Sequence, residues 1–160
     1  MRDKTLTIAA APVTRIVLRG LGAALLIFVG LDHYYEYSQQ SYSVIPTIGT
    51  LFLLNFISAS VVGVLLVVPV ERLVRRFGPI VVRLEALSGF GIAATSLAAL
   101  LISEQTKLFG FMEANYRPAI VIALVSEAAA ALVLGLLLAT SFVSPAVPRN
   151  RRLTALRPNW

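Results

Sequence analysis

Four long apolar runs divide the chain: Ile16 to Leu31, broken by Arg19; Ile45 to Val70, without a charge; Ala86 to Ser103, also uncharged; and Pro118 to Val143, broken by Glu127. None shows the period-two alternation of a half-buried strand, and each is long enough to cross, or nearly cross, a hydrocarbon core about 30 Å thick. Backbone polar groups in lipid must be bonded within their own segment, so runs of this kind are helices. The pattern predicts an all-α, integral membrane four-helix bundle, antiparallel and up-down-up-down. The expected spans are 15–34, 45–70, 80–104 and 118–143, which leaves 1–14 as a short N-terminal segment, 15–144 as the bundle and 145–160 as a basic tail.

Turn residues support this division. Arg76-Phe77-Gly78-Pro79 reads as a tight turn in which Gly78 closes span 2 and Pro79 opens span 3, making spans 2 and 3 a hairpin. Arg83 and Glu85 would then reach back to the lipid headgroups. Pro46 and Pro118 mark the starts of spans 2 and 4 by the same logic.

Basic residues set the orientation, because positively charged flanks stay in the cytoplasm. Arg2, Lys4, Arg15 and Arg19 precede or begin span 1; Arg72, Arg75, Arg76 and Arg83 lie between spans 2 and 3; Arg149, Arg151, Arg152 and Arg157 follow span 4. Only Lys107 and Arg117 lie on the other side, beside Asp32, Glu36, Glu104 and Glu113. Both termini are expected in the cytoplasm, and the protein is expected in the plasma (inner) membrane as a multi-pass protein. Gly30-Leu31-Asp32-His33 offers no small-x-small cleavage pattern, so span 1 reads as a retained helix and not a signal peptide.

Composition narrows the classes further. With 58% of 160 residues hydrophobic and 14% charged, the chain lacks the charge that a small soluble domain needs, which is about a quarter of its residues. The net charge of +6 is explained by arginines at span ends, so no nucleic-acid partner is expected; the bilayer itself is the first partner. The absence of cysteine excludes disulfides, thiolate metal sites and dithiol redox chemistry.

Glu127 is the first candidate for chemistry, since an ionised carboxylate in hydrocarbon is costly. It sits about 5 Å to the outer side of the middle of span 4, and small residues at Ala123, Ala130 and Ala131 turn its face toward the bundle. Asn55 stands at matching depth in span 2, on a face continued by Ser58, Ala59, Val62 and Gly63. Glu127, Asn55, Ser126 and Ser58 therefore form an expected intramembrane polar site. Two readings are open: a protonatable site that responds to ligand or pH, or an uncharged Glu127 hydrogen-bonded to Asn55 or Ser126 as a structural clasp.

A second candidate lies at the outer rim of span 1, where Asp32, His33, Tyr34, Tyr35 and Glu36 crowd together. On a helix His33 and Glu36 share a face, which admits a divalent cation or a pH switch. The alternative is an aromatic belt of Tyr34, Tyr35, Tyr37 and Tyr42 at the membrane interface. No metal site is expected from a single histidine. Leu108-Phe109-Gly110-Phe111-Met112, followed by Glu113 and Tyr116, reads as an interfacial lid or short helix. Gly89 and Ala93 have the small-xxx-small spacing of a close helix contact.

Several activities lack their residues. Haem held by two histidines is impossible with His33 alone, and ligation by His33 with Met112 has nothing to support it. Gly91-Ile92-Ala93 lacks a phosphate-binding pattern, and no serine, histidine and acid are arranged for acyl transfer. Neither a cofactor nor an enzymatic activity is expected.

The segment Ile45-Pro46-Thr47-Ile48-Gly49-Thr50-Leu51-Phe52-Leu53-Leu54-Asn55 resembles one found in a group of small four-span membrane proteins of actinobacteria. His33, Leu108-Phe109-Gly110-Phe111 and Ser126-Glu127-Ala128 extend the likeness over most of residues 15–140. A lesser resemblance, from Arg15 through Gly30 and in overall size, is to DoxX-like four-helix membrane proteins. These resemblances imply a fold and a choice of residues but no activity. The expected function is an accessory or ligand-binding membrane component, working as a homodimer or with a partner membrane protein. The alternative is a proton-coupled transporter of a small or lipophilic solute, assembled as a homo-oligomer.

Overall fold

The computed structural model of the protein describes residues 3–69, 74, 76–113 and 117–142, with side chains from residue 13 onward. Its elements in chain order are α1 (Asp3–Gln39), a 3₁₀ turn (Tyr42–Val44), α2 (Ile48–Val67), α3 (Gly78–Gln105) and α4 (Pro118–Phe142). Among the described residues there is no strand beyond one isolated bridge, Leu108 with Phe111. All four helices contain a stretch long and apolar enough to cross a membrane, which in α1 is Val13–Gln39. The basic tail 145–160, Arg2, Arg72, Arg75 and Tyr116 lie outside the described residues.

The helices close into a ring in which α1 packs on α2 and α4, and α3 packs on α4 and α2. On α1 the stripe that faces inward is Ala23, Leu26, Val29, Gly30, His33 and Glu36, spaced at three and four residues as one helix face requires. The corresponding stripe on α3 is Ala86, Gly89 and Ala93, and on α4 it is Ala123, Ser126, Glu127, Ala130, Leu134 and Leu137. The outward faces carry Phe28, Leu31, Val61, Leu84, Val125 and Leu132, each between about half and two-thirds exposed. An apolar exterior this continuous suits lipid tails and not water, as befits a multi-pass membrane protein.

The bundle is solid in one half and hollow in the other. Leu26, Leu66, Leu134 and Leu137 interlock with Ala59, Ala86, Ala93 and Ala130 to fill the end near Arg19. Small residues permit this closeness: a Cβ at Gly89 would stand 2.8 Å from Leu26 Cδ1 and 3.0 Å from Leu134 Cδ1. The expected close contact at Gly89 and Ala93 is thus present.

Arginines finish this end by donating to carbonyls that the helix termini leave without partners. Arg19 donates from Nε to Leu66 O at 3.0 Å and Arg15 to Thr140 O at 3.1 Å. Arg83 donates to Ser141 O at 3.2 Å, its guanidinium 4.5 Å from the Phe142 ring centre. Glu85 is buried and pairs with Arg19 at 3.3 Å. Arg83 and Glu85 therefore do not reach out to headgroups as the sequence suggests, because partners inside the bundle are closer. Gly78 likewise does not close the second helix; it opens α3, with Pro79 in the first turn.

The other end is closed by two connections. Between α1 and α2, Ser41 (φ 65°) and Thr47 (φ 67°) turn the chain, and a bond from Ile48 N to Pro46 O at 2.8 Å makes Thr47 the centre of a γ-turn. Between α3 and α4, Phe109 and Gly110 both have positive φ, and Leu108 and Phe111 exchange backbone bonds of 2.7 and 3.0 Å. This is a two-residue reverse turn and not the short helix that the sequence allowed.

Candidate functional site

The hollow half holds a cavity of about 390 Å³ that is open on one side, past Leu51 and Leu54. Its walls are apolar for the most part: Ile48, Leu51, Phe52 and Leu54 of α2, Ile92, Ala99 and Leu100 of α3, and Ala119, Ile120 and Ala123 of α4. Leu108 and Phe111 of the reverse turn close one side. Into this surface project Asp32, His33 and Glu36 of α1, Asn55 and Ser58 of α2, Thr95, Ser96 and Ser103 of α3, and Glu127 of α4. Apolar walls with a few converging polar groups are the usual make-up of a small-molecule site, and the volume falls within the ordinary range for one.

Glu127 and His33, two residues that the sequence assigns to separate sites, belong to one site. α1 stays helical to Gln39, so His33 lies well inside the helix, four residues beyond Val29 on the buried stripe. Its Nδ1 lies 2.9 Å from Val29 O, and its Nε2 points across the bundle to Ser96 Oγ at 3.0 Å and Glu127 Oε1 at 3.6 Å. Ser96 Oγ is in turn 2.6 Å from Glu127 Oε1. The order is imidazole, hydroxyl, carboxyl.

Counting protons constrains this chain. A carbonyl has no hydrogen to give, so His33 must donate from Nδ1 to Val29 O. The Ser96 hydroxyl owns one proton but makes two short contacts, and a second proton is needed. Either Glu127 is an acid that donates to Ser96 Oγ while Ser96 donates to His33 Nε2, or His33 is an imidazolium that donates to Ser96 Oγ while Ser96 donates to the Glu127 carboxylate. Both arrangements are neutral overall and share the same heavy-atom positions. They differ by a proton relayed through Ser96, and the uncharged form avoids placing two charges in hydrocarbon.

The remaining expected site residues have different places. Asn55 lines the cavity, but its Oδ1 is buried without a hydrogen-bond partner, so the expected Glu127–Asn55 pair is not formed. Ser126 Oγ donates to Ala123 O at 3.1 Å and Ser58 Oγ to Leu54 O at 2.7 Å. These hydroxyls satisfy their own helices, as serines in membrane helices commonly do. Tyr34 and Tyr35 are exposed on the outward face, with Tyr34 against Phe56 at 4.8 Å, an arrangement compatible with an interfacial belt.

Tyr42 is buried, contrary to its expected place in that belt, and belongs to a second group that caps the end of the cavity farther from Arg19. Its ring stacks on Phe52 at 4.8 Å and meets the edge of Phe111 at 5.5 Å. Its hydroxyl donates to Glu113 at 2.5 Å and accepts from Arg117 at 2.7 Å. Arg117 also reaches Glu36 at 3.3 Å and Gln40 at 3.3 Å. Burial and the bond to Glu113 raise the Tyr42 phenol well above its ordinary range, which keeps it a neutral donor. Despite the desolvation that opposes its charge, Arg117 is held above the usual value by Tyr42, Glu36 and Glu113.

Glu36 therefore faces Arg117 while His33 faces Ser96, and the pair does not converge for a cation. Among the described residues no three such side chains gather to hold a metal ion.

Sequence reasoning missed Ser96 and the Tyr42–Glu113–Arg117 group. One available signal was the continuation of the Ala86, Gly89, Ala93 stripe by three residues to Ser96. No protein-family model matches the chain, and no curated protein or solved structure matches it.

Proposed function

We propose that the protein is a ligand-binding component of the plasma membrane that takes a small amphiphilic molecule into the hollow half of its bundle. In this reading the helices run antiparallel, up-down-up-down. Both termini are cytoplasmic, as the arginine distribution favours, and the cavity lies in the outer half of the bilayer. The observation that carries the reading is a cavity of about 390 Å³ whose apolar walls converge on the His33–Ser96–Glu127 chain. A purely structural clasp would have no use for the empty volume beside it.

We also propose kinship with small actinobacterial four-span proteins, on the sequence motifs that carry the resemblance. His33, five residues of the Ile45–Asn55 segment, Leu108, Phe111 and Glu127 all line this one cavity. Motifs scattered over the sequence would meet in this way if they specified a site.

The reading is tested by native mass spectrometry of the protein extracted gently from its own membrane, with an absorption spectrum of the same sample. The parent is expected to carry a small molecule that Ala123→Phe, which fills the cavity from α4, does not. A parent that is always bare, or a variant that carries the same adduct, contradicts it.

A second reading, proton-coupled transport by a homo-oligomer, is favoured by the proton shared through Ser96. It requires that Glu127→Gln, which preserves shape but removes the titratable acid, abolish proton-coupled flux in vesicles while the fold persists.

A further inference from the structure

The cavity's unpartnered groups are of one kind. Three of its lining side chains carry a buried atom with no hydrogen-bond partner, and all three atoms are acceptors: Glu36 Oε1, Asn55 Oδ1 and Glu127 Oε2. Glu127 is 1% exposed and Glu36 4%. An acceptor shut away from water without a donor costs about 1–3 kcal/mol, so something that donates has reason to bind there.

Charge makes the complement more specific. Glu36 is answered by Arg117, and Glu127 by the proton it shares with His33, but Asp32 has neither a hydrogen bond nor an ion pair among the described residues. Asp32 lines the cavity close enough to Glu36 and Glu127 to interact electrostatically with both, and each of these is a carboxyl group like itself. Among the described residues no lysine or arginine lines the cavity; Arg117, which reaches Glu36 at its edge, is already held by Glu36, Tyr42 and Gln40. The site therefore has one acidic side chain without an ion-pair partner and three acceptors without donors, set among apolar walls.

We propose that the occupant is a lipophilic primary or secondary ammonium ion, its N–H groups directed to Glu127 Oε2 and Asn55 Oδ1, its charge answered by Asp32 and its apolar body against Phe52, Leu100 and Ile120. This rests on the ligand-binding reading above and adds the chemical class of the ligand. A carboxylate or phosphate ligand is disfavoured by the neighbouring carboxyl groups of Asp32 and Glu36, and the Asn55 amide is the one donor left to meet it. An alcohol can satisfy the acceptors but leaves Asp32 without an ion-pair partner. A quaternary cation can pair with Asp32 but leaves the acceptors empty.

The test uses the purified full chain in lipid nanodiscs and isothermal titration with three probes of one shape: phenethylammonium, phenethyl alcohol and hydrocinnamate. The ammonium ion is expected to bind about 10-fold or more tightly than the alcohol, the difference between a charged and a neutral hydrogen-bonding partner, with no binding of the acid. In Asp32→Asn, with helix content and elution volume as in the parent, the ammonium affinity is expected to fall to that of the alcohol.

If the alcohol binds as tightly as the ammonium ion, or the acid binds best, the assignment of class is overturned while the ligand-binding cavity stands. Persistence of the preference in Asp32→Asn also overturns it. If none of the three binds the parent, both the class and the cavity reading fail.

Discussion

Glu127→Leu is expected to fold as well as the parent chain, or better, and to lose ligand affinity by about 10- to 100-fold. The reasoning starts from what the carboxyl group contributes to the folded state. Its removal leaves Ser96 with one proton and one acceptor, His33 Nε2 at 3.0 Å, so no donor is orphaned. The unpartnered Glu127 Oε2 disappears as well. Leucine exceeds glutamate by only about one methylene group and stands on the buried stripe between Ala123 and Ala130, so the site gains apolar contact. Replacing buried polar groups with apolar ones of similar shape is often neutral or stabilising. Loss of a charge-assisted hydrogen bond to a ligand is worth about 1.5–3 kcal/mol, which is the stated loss of affinity. Thermal unfolding in detergent and ligand titration on the same preparation give the two numbers. A structural clasp predicts the reverse pair: lower stability, by about 1–3 kcal/mol, and unchanged binding.

Gly49→Val should have the largest effect on assembly of the end that carries Tyr42, a loss of about 3 kcal/mol. Gly49 lies in the first turn of α2, and a Cβ there would stand 2.7 Å from Tyr42 O and 3.1 Å from both Cα and O of Ser43. All of these are backbone atoms of the connection that carries Tyr42, so no side-chain rotation relieves the clash. The connection must shift, and Tyr42 with it, away from Phe52, Glu113 and Arg117. The expected result is a lower unfolding temperature together with loss of cavity closure, read as faster exchange of any bound ligand. Gly91→Val is the control, because nothing lies within 4 Å of a Cβ at Gly91. Equal melting of the two variants would show that the connection between α1 and α2 does not rest on Gly49 as described.

The architecture was legible because hydrocarbon imposes few choices. Uncharged runs of this length have one stable backbone form in lipid, and the positions of Ala123, Ala130 and Ala131 beside Glu127 were enough to turn that carboxyl inward. Depth could also be read from residue counting, and it brought forward Asn55.

Partner choice was not legible, because depth leaves the rotation of each helix open. Ser96 reaches Glu127 from α3, whereas Asn55 shares the cavity with it without a bond. His33 is placed at the rim by sequence because the hydropathy of the first span falls near Asp32. The helix continues to Gln39, and the extra turns put His33 inside. The cap at the Tyr42 end joins Glu36, Tyr42, Glu113 and Arg117 across two loops, and no local pattern encodes pairs separated by 71 to 81 residues. Arg117 illustrates the point. In the sequence it is one of two basic residues on the wrong side for orientation, and in the structure it holds that side together.

The most direct test of the shared-proton site uses the fact that His33 is the chain's one histidine. Nitrogen NMR of the full protein, labelled at histidine, carrying no histidine tag and held in nanodiscs, reports a single imidazole. The geometry predicts a proton on Nδ1, an Nε2 resonance that moves in both Ser96→Ala and Glu127→Gln, and no trace of the neutral form with its proton on Nε2. A neutral imidazole protonated at Nε2, or an Nε2 resonance indifferent to both substitutions, would contradict the chain from His33 through Ser96 to Glu127.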